Sequence, residues 1–122
     1  MRLFVYGTLK RGCCNHHYMA GQQFVGTACT TPCFRLMGLG GYPGMVHSDE
    51  GRGIQGEVWE VDEDCLRRLD ILEGLEVGEY AFEVIPLLPP FDAGPVHGYV
   101  YLKPVDGCPD VGGVWNEETT AH

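Results

Sequence analysis

The sequence predicts an α+β fold, with several short strands around one principal helix and the sheet curling into a barrel. Three observations carry that prediction. The 122 residues include 18 glycines and 8 prolines, which cut the chain into short pieces and favour turns and strands over long helices. Several runs between those breaks are rich in β-branched and aromatic residues. Only one segment, Asp62 to Glu73, carries a full set of helix signals.

Taken in order, Arg2 to Tyr6 is a β-prone run closed by Gly7, a strand ending in a sharp turn. Asn15 to Gln23 is polar and long enough for one or two helical turns. Phe24 to Leu36 reads as a second strand region, interrupted at Pro32. Gly38 to Gly53 is dense in glycine and reads as turns around a brief Met45-Val46 strand. Ile54 to Val61 alternates well enough for a third strand. In the helix, Asp62 suits the N-cap, Glu63 and Asp64 suit the positive end, and Gly74 stands where a C-terminal stop belongs. Tyr80 to Leu88 and Val96 to Leu102 are two further strands, joined across Pro89 to Pro95. From Pro104 onward the chain is rich in Gly, Pro and acids and is expected to be irregular. No repeat, linker or low-complexity block divides the chain, so residues 1–122 are expected to form one domain.

Hydrophobic residues make up 44% and charged residues 20%, ordinary globular usage that argues against disorder throughout. The formal net charge is −9, from 17 acids against 8 bases, with no Lys/Arg cluster to neutralise phosphates. That sets aside nucleic acid and anionic membrane surfaces as partners. The N-terminal Met1-Arg2-Leu3-Phe4-Val5-Tyr6-Gly7 has no long apolar run and no signal cleavage site, and no stretch is long enough to span a bilayer. The six cysteines are therefore expected to be mostly reduced thiols in a cytoplasmic protein.

The helix singles out one acid. At about 100° per residue, Cys65, Leu66, Leu69 and Leu72 share an arc, and Glu73 falls between Leu66 and Leu69 on it. Arg67, Arg68 and Asp70 fall outside the arc. Burial on an apolar face and proximity to the helix's negative pole both disfavour ionisation, raising Glu73 above the usual value of about 4.3 and suiting it to accept a proton near neutral pH. The pattern also allows a plainer arrangement, in which the helix frays before Glu73 and the side chain reaches water. The segment Val5 to Gly12 supplies a second candidate, since successive backbone N–H groups in a tight turn after a strand form an anion-binding concavity. By spacing alone it is equally an ordinary turn.

Phe4-Val5-Tyr6-Gly7-Thr8-Leu9-Lys10-Arg11-Gly12, followed by Asn15-His16, resembles the N-terminal signature of the γ-glutamylcyclotransferase-like family. A second signature is present in order: Gly56-Glu57-Val58-Trp59-Glu60-Val61, a helix, then Leu69-Asp70-Ile71-Leu72-Glu73-Gly74 and Tyr80. The resemblance runs from about Arg2 to Lys103. It implies a small mixed β-barrel flanked by helices and a γ-glutamyl small molecule as substrate. It implies Glu73 as the catalytic acid/base and Tyr6, Gly7, Thr8 and Leu9 as the substrate cradle, with Tyr80 as a further substrate-binding position. In that chemistry the α-amine attacks its own γ-carbonyl, releasing an amine and 5-oxoproline without a metal or organic cofactor.

Three departures from the family pattern bear on substrate preference: Leu75-Glu76 after Glu-Gly, Phe82 where an Arg commonly stands, and the Cys13-Cys14 pair. Other motifs are weaker. Cys13, Cys14, His16 and His17 with Cys29 and Cys33 lack the spacing of a zinc site, so no metal is expected. Gly38-Leu39-Gly40-Gly41 lacks the helix that a dinucleotide loop requires and is broken by Pro43; it reads as a glycine-rich hairpin. The resemblance also implies that Tyr42-Pro43 lines the site, and one of the strand residues Tyr80, Tyr99 and Tyr101 could present its hydroxyl there. A non-catalytic binding or interaction module on the same fold is the alternative function. The oligomeric state stays open.

Overall fold

The computed structural model describes residues 1–74 and 78–116. Its strands are β1 (Arg2–Val5), β2 (Gln23–Cys29), β3 (Phe34–Gly38), β4 (Pro43–His47), β5 (Gln55–Glu60), β6 (Tyr80–Val84) and β7 (His97–Tyr101). One α-helix, α1 (Glu63–Leu72), and a 3₁₀ turn at His16–Met19 complete the regular elements among the described residues. The α+β class and the order of elements match the expectation. Pro32 does more than interrupt a strand: β2 lies in one sheet, and β3 pairs with β4 in another.

Five strands form a mixed sheet in the order β2-β5-β1-β7-β6. β1 is central, antiparallel to β5 with Leu3 opposite Trp59, and parallel to β7. The sheet curls as expected, but among the described residues no continuous ladder closes it into a barrel. The extensions of its two edge strands meet at a bridge between Thr30 and Leu87. Two bonds of 2.9 Å flank it, from Thr31 N to Pro86 O and from Leu88 N to Cys29 O. The prolines at 86, 89 and 90 leave the β6 extension short of N–H donors, so a full ladder cannot form there.

Alternation along β1 separates two cores. Leu3 and Val5 face α1 together with Trp59, Cys65, Leu69 and Tyr99. Phe4 and Tyr6 face the β3–β4 hairpin with Phe34, Leu36, Met45 and Val58. Because β1 is buried on both faces, the turn that follows it is held between the two layers. Residues 104–116 form no named strand, as expected, yet they pack: Trp115 is buried, and Val111 N and Gln55 N donate to Leu36 O and Gly113 O; the rest of the tail, 117–122, lies outside the described residues.

Helix α1 begins and ends on the residues expected to cap it. Asp62 Oδ1 accepts from Cys65 N at 2.7 Å, satisfying one of the unpaired N–H groups of the first turn. Glu73 is the C-cap residue, still in right-handed helical conformation, with its N–H directed to Leu69 O at 2.8 Å. Gly74 then takes φ +66°, the left-handed conformation that ends helices at little cost only for glycine. The helix therefore does not fray before Glu73.

Candidate active site

The turn Tyr6 to Leu9 leaves β1 and is closed by bonds from Lys10 N to Gly7 O (3.1 Å) and from Asn15 N to Thr8 O (2.9 Å). These bonds use the turn's carbonyls and not the amides of Gly7, Thr8 and Leu9. Asn15 Nδ2 also donates to Thr8 Oγ1 at 3.1 Å, which leaves the threonine hydroxyl hydrogen directed elsewhere. Gly7 is required by a close approach: a Cβ there would lie 2.7 Å from Pro43 Cγ. The far end of the turn is fixed by Glu57. This buried carboxylate accepts from Arg11 N and Arg11 Nε, both at 3.0 Å, and from Trp59 Nε1 at 3.2 Å. Arg11 in turn lies over the Phe24 ring, 3.8 Å from its centroid.

Two tyrosines tie the hairpin to the sheet above this turn. Tyr6 Oη donates to Tyr99 O (2.8 Å) and accepts from Met45 N (3.2 Å), while Tyr80 Oη donates to Pro43 O (3.0 Å). Burial raises both phenols far above their ordinary range, so both stay protonated donors. A cleft opens between these elements, lined by Tyr6, Gly7, Thr8, Leu9, Tyr42, Pro43, Glu73, Tyr80 and Tyr99. All six residues expected at the site, Glu73, Tyr6, Gly7, Thr8, Leu9 and Tyr80, line it together.

Glu73 enters the cleft from the end of α1. Burial, and secondarily the charge of Glu79, push its carboxyl from 4.5 up to about 7. The elevated value expected from the helix pattern is present, but its second cause is a neighbouring acid across a turn. Asp70 departs from expectation: it turns inward and accepts from Tyr99 Oη at 2.8 Å. The Asp-x-x-Glu spacing was the available signal, since residues three apart share a helix face. Glu79, whose carboxylate accepts from Tyr42 Oη at 3.4 Å, is a further site residue that the sequence reading missed.

Of the three departures from the family pattern, Leu75-Glu76 lies outside the described residues. Phe82 stacks on His97 with ring centroids 4.8 Å apart. Cys13 packs against the core, and Cys14 lines the outer part of the cleft. Among the described residues no group of three or more His, Cys, Asp or Glu gathers to hold a metal ion, and the six cysteines are free thiols. No helix among them is long and apolar enough to cross a membrane.

The family model for γ-glutamyl cyclotransferase, AIG2-like proteins matches residues 3–117. The chain belongs to this family. It is 40% identical over 108 residues to the γ-glutamylcyclotransferase family protein YtfP of Escherichia coli K12, covering 88% of each chain. It is 44% identical over 80 residues to the γ-glutamylaminecyclotransferase of Rattus norvegicus, covering 59% of this chain and 54% of the rat protein. Among solved structures, an AIG2-like protein from Mus musculus superposes with a TM-score of 0.77 at 30% identity, covering 92% of this chain and 86% of the mouse chain. Membership makes the chain a γ-glutamylcyclotransferase-like enzyme, and the solved relatives share its α+β fold.

Proposed function

We propose that this enzyme cyclises a γ-glutamyl amine or γ-glutamyl amino acid, releasing 5-oxoproline and a free amine, with Glu73 as general base and acid. The observation that carries the reading is a carboxyl pushed to about 7 inside a cleft walled by the Tyr6 to Leu9 turn. A group with that value is half ionised near neutral pH, able both to take a proton and to return one.

The Glu73 carboxylate takes a proton from the substrate's α-ammonium. The freed amine forms a bond to the γ-carbonyl carbon, and the negative charge that grows on the carbonyl oxygen is met by the turn's amides. The bond from that carbon to the leaving nitrogen then breaks as Glu73 returns its proton there. Two protons pass in all from the attacking nitrogen to the departing one, so none is consumed and no co-reactant is required. Ring closure is intramolecular, and a cleft that holds the bent conformer supplies much of the acceleration. Tyr80 and Tyr6 serve as rigid walls, because their hydroxyl hydrogens are already committed to Pro43 O and Tyr99 O. In this reading one domain acts in the cytoplasm on a small molecule, without a metal or organic cofactor.

The test is 5-oxoproline release from a panel of γ-glutamyl amines, γ-glutamyl amino acids and glutathione, with Glu73→Gln alongside. Loss of general acid–base catalysis should lower kcat by about 10²- to 10⁴-fold in a variant that remains folded. Full activity in Glu73→Gln would overturn the mechanism. Absence of product from every wild-type reaction would favour a binding module on this fold.

A further inference from the structure

The cleft has two lobes. The inner one, about 40 Å³, is bounded by the Tyr6 to Leu9 turn, and the outer one, about 310 Å³, is reached past Thr8, Tyr42, Glu73 and Tyr80, which line both. If the glutamyl part bends against the turn, the nitrogen that departs must point into the outer lobe. That lobe contains no Lys, Arg or His among its described lining residues; its charged groups are Glu73 and Glu79.

Glu79 differs from Glu57, Glu60 and Glu83 on the sheet. Glu57 pairs with Arg11, Glu60 with the N-terminal ammonium and Arg2, and Glu83 with His47. Among the described residues no cation pairs with Glu79. Its backbone is nevertheless fixed at both sides, by Glu79 N to Gly74 O (3.1 Å) and Leu102 N to Glu79 O (3.0 Å), and Tyr42 Oη steers its carboxylate. A half-buried carboxylate held in this way, without a cation among the described residues, on the wall of the outer lobe is positioned to attract a positively charged group there.

We propose that Glu79 selects the leaving amine: the outer lobe takes γ-glutamyl amides whose leaving amine carries a second ammonium group, which pairs with the Glu79 carboxylate. This rests on the cyclisation reading and adds its substrate class, monoglutamylated diamines. A leaving group bearing its own carboxylate meets two acids in the same lobe and is disfavoured, which gives discrimination by repulsion as well as attraction.

The experiment compares kcat/KM for γ-glutamyl-1,4-diaminobutane and γ-glutamyl-pentylamine, which match in length and differ in one ammonium. Wild type should prefer the diamine by about fivefold at low salt, the range of a partly exposed ion pair. In Glu79→Gln the ratio should fall towards one. Both substrates are read on the same protein, so any effect of Glu79 on Glu73 cancels. If Glu79→Gln does not fold, raising the salt to about 1 M serves instead, where screening should shrink the wild-type preference. Equal rates in wild type, or a preference that survives in folded Glu79→Gln, overturn the assignment to Glu79 and leave the reaction standing. No 5-oxoproline from either substrate, with release from another member of the γ-glutamyl panel, overturns this inference alone; no release from any of them overturns the reaction as well.

Discussion

Replacing Glu73 by glutamine should stabilise the protein above neutral pH while abolishing its chemistry. In the folded protein burial, aided by Glu79, moves the Glu73 carboxyl from 4.5 to about 7. The folded state therefore binds this proton more tightly than the unfolded chain does. The favourable contribution is fully present below about 4.5 and is lost as the pH rises to about 7, because an ionised Glu73 must then stay buried. Each pH unit across that interval is worth about 1.4 kcal/mol, so the penalty at pH 8 is about 2–3 kcal/mol, allowing for the partial exposure of the side chain. Glutamine fills the same space without a charge. Thermal unfolding of wild type and Glu73→Gln should give nearly equal Tm at pH 4.5. At pH 8 the variant should melt higher by about 10 °C, at roughly 4 °C per kcal/mol for a chain of this size. A Tm difference that does not change with pH, or a variant that is less stable at pH 8, would refute the buried, uncompensated carboxyl on which the proposed mechanism depends.

The same proton should appear in kinetics: kcat/KM for 5-oxoproline release should rise with pH along a limb centred at about 7, as the Glu73 carboxylate forms. A limb centred near 4.5 would contradict the burial. Gly7→Ala forces a methyl group to 2.7 Å from Pro43 Cγ and should cost about 1–3 kcal/mol in denaturant unfolding, with loss of activity as the hairpin shifts. Retained stability and activity would mean that the turn and hairpin adjust freely. With six free thiols and no disulfide among the described residues, Tm should be the same with and without reductant, which differential scanning fluorimetry can check.

The helix was the most legible part of the sequence because its signals are local. Asp62 and Gly74 each announce a helix end by residue type, and Glu73 stands out because an acid on an apolar arc is costly. Strand existence was legible from composition, but partnership was not: nothing near Pro32 says that β2 joins β5 while β3 folds onto β4. The curl of the sheet was legible, whereas its closure by a short seam at Thr30 and Leu87 depended on residues 57 apart. The cradle was legible only through the two family signatures, since the contact that makes Gly7 necessary comes from Pro43, 36 residues away. Glu79 and the inward turn of Asp70 were hidden for the same reason. Each acquires its role from a tyrosine on another strand or loop, Tyr42 and Tyr99.

The double employment of Tyr6 and Tyr80 restricts how this cleft can diversify. Each ring walls the cleft, and each hydroxyl also fastens the backbone of β4 at Met45 N or Pro43 O. Exchanging either tyrosine to admit a different substrate would unfasten the hairpin at the same stroke, so new specificity and loss of fold are coupled at these two positions. Tyr42 and Glu79 face the outer lobe without fastening another strand through their side chains. Variation between relatives that use different substrates is thus expected to collect at the rim of the cleft, while its inner walls stay fixed for mechanical reasons.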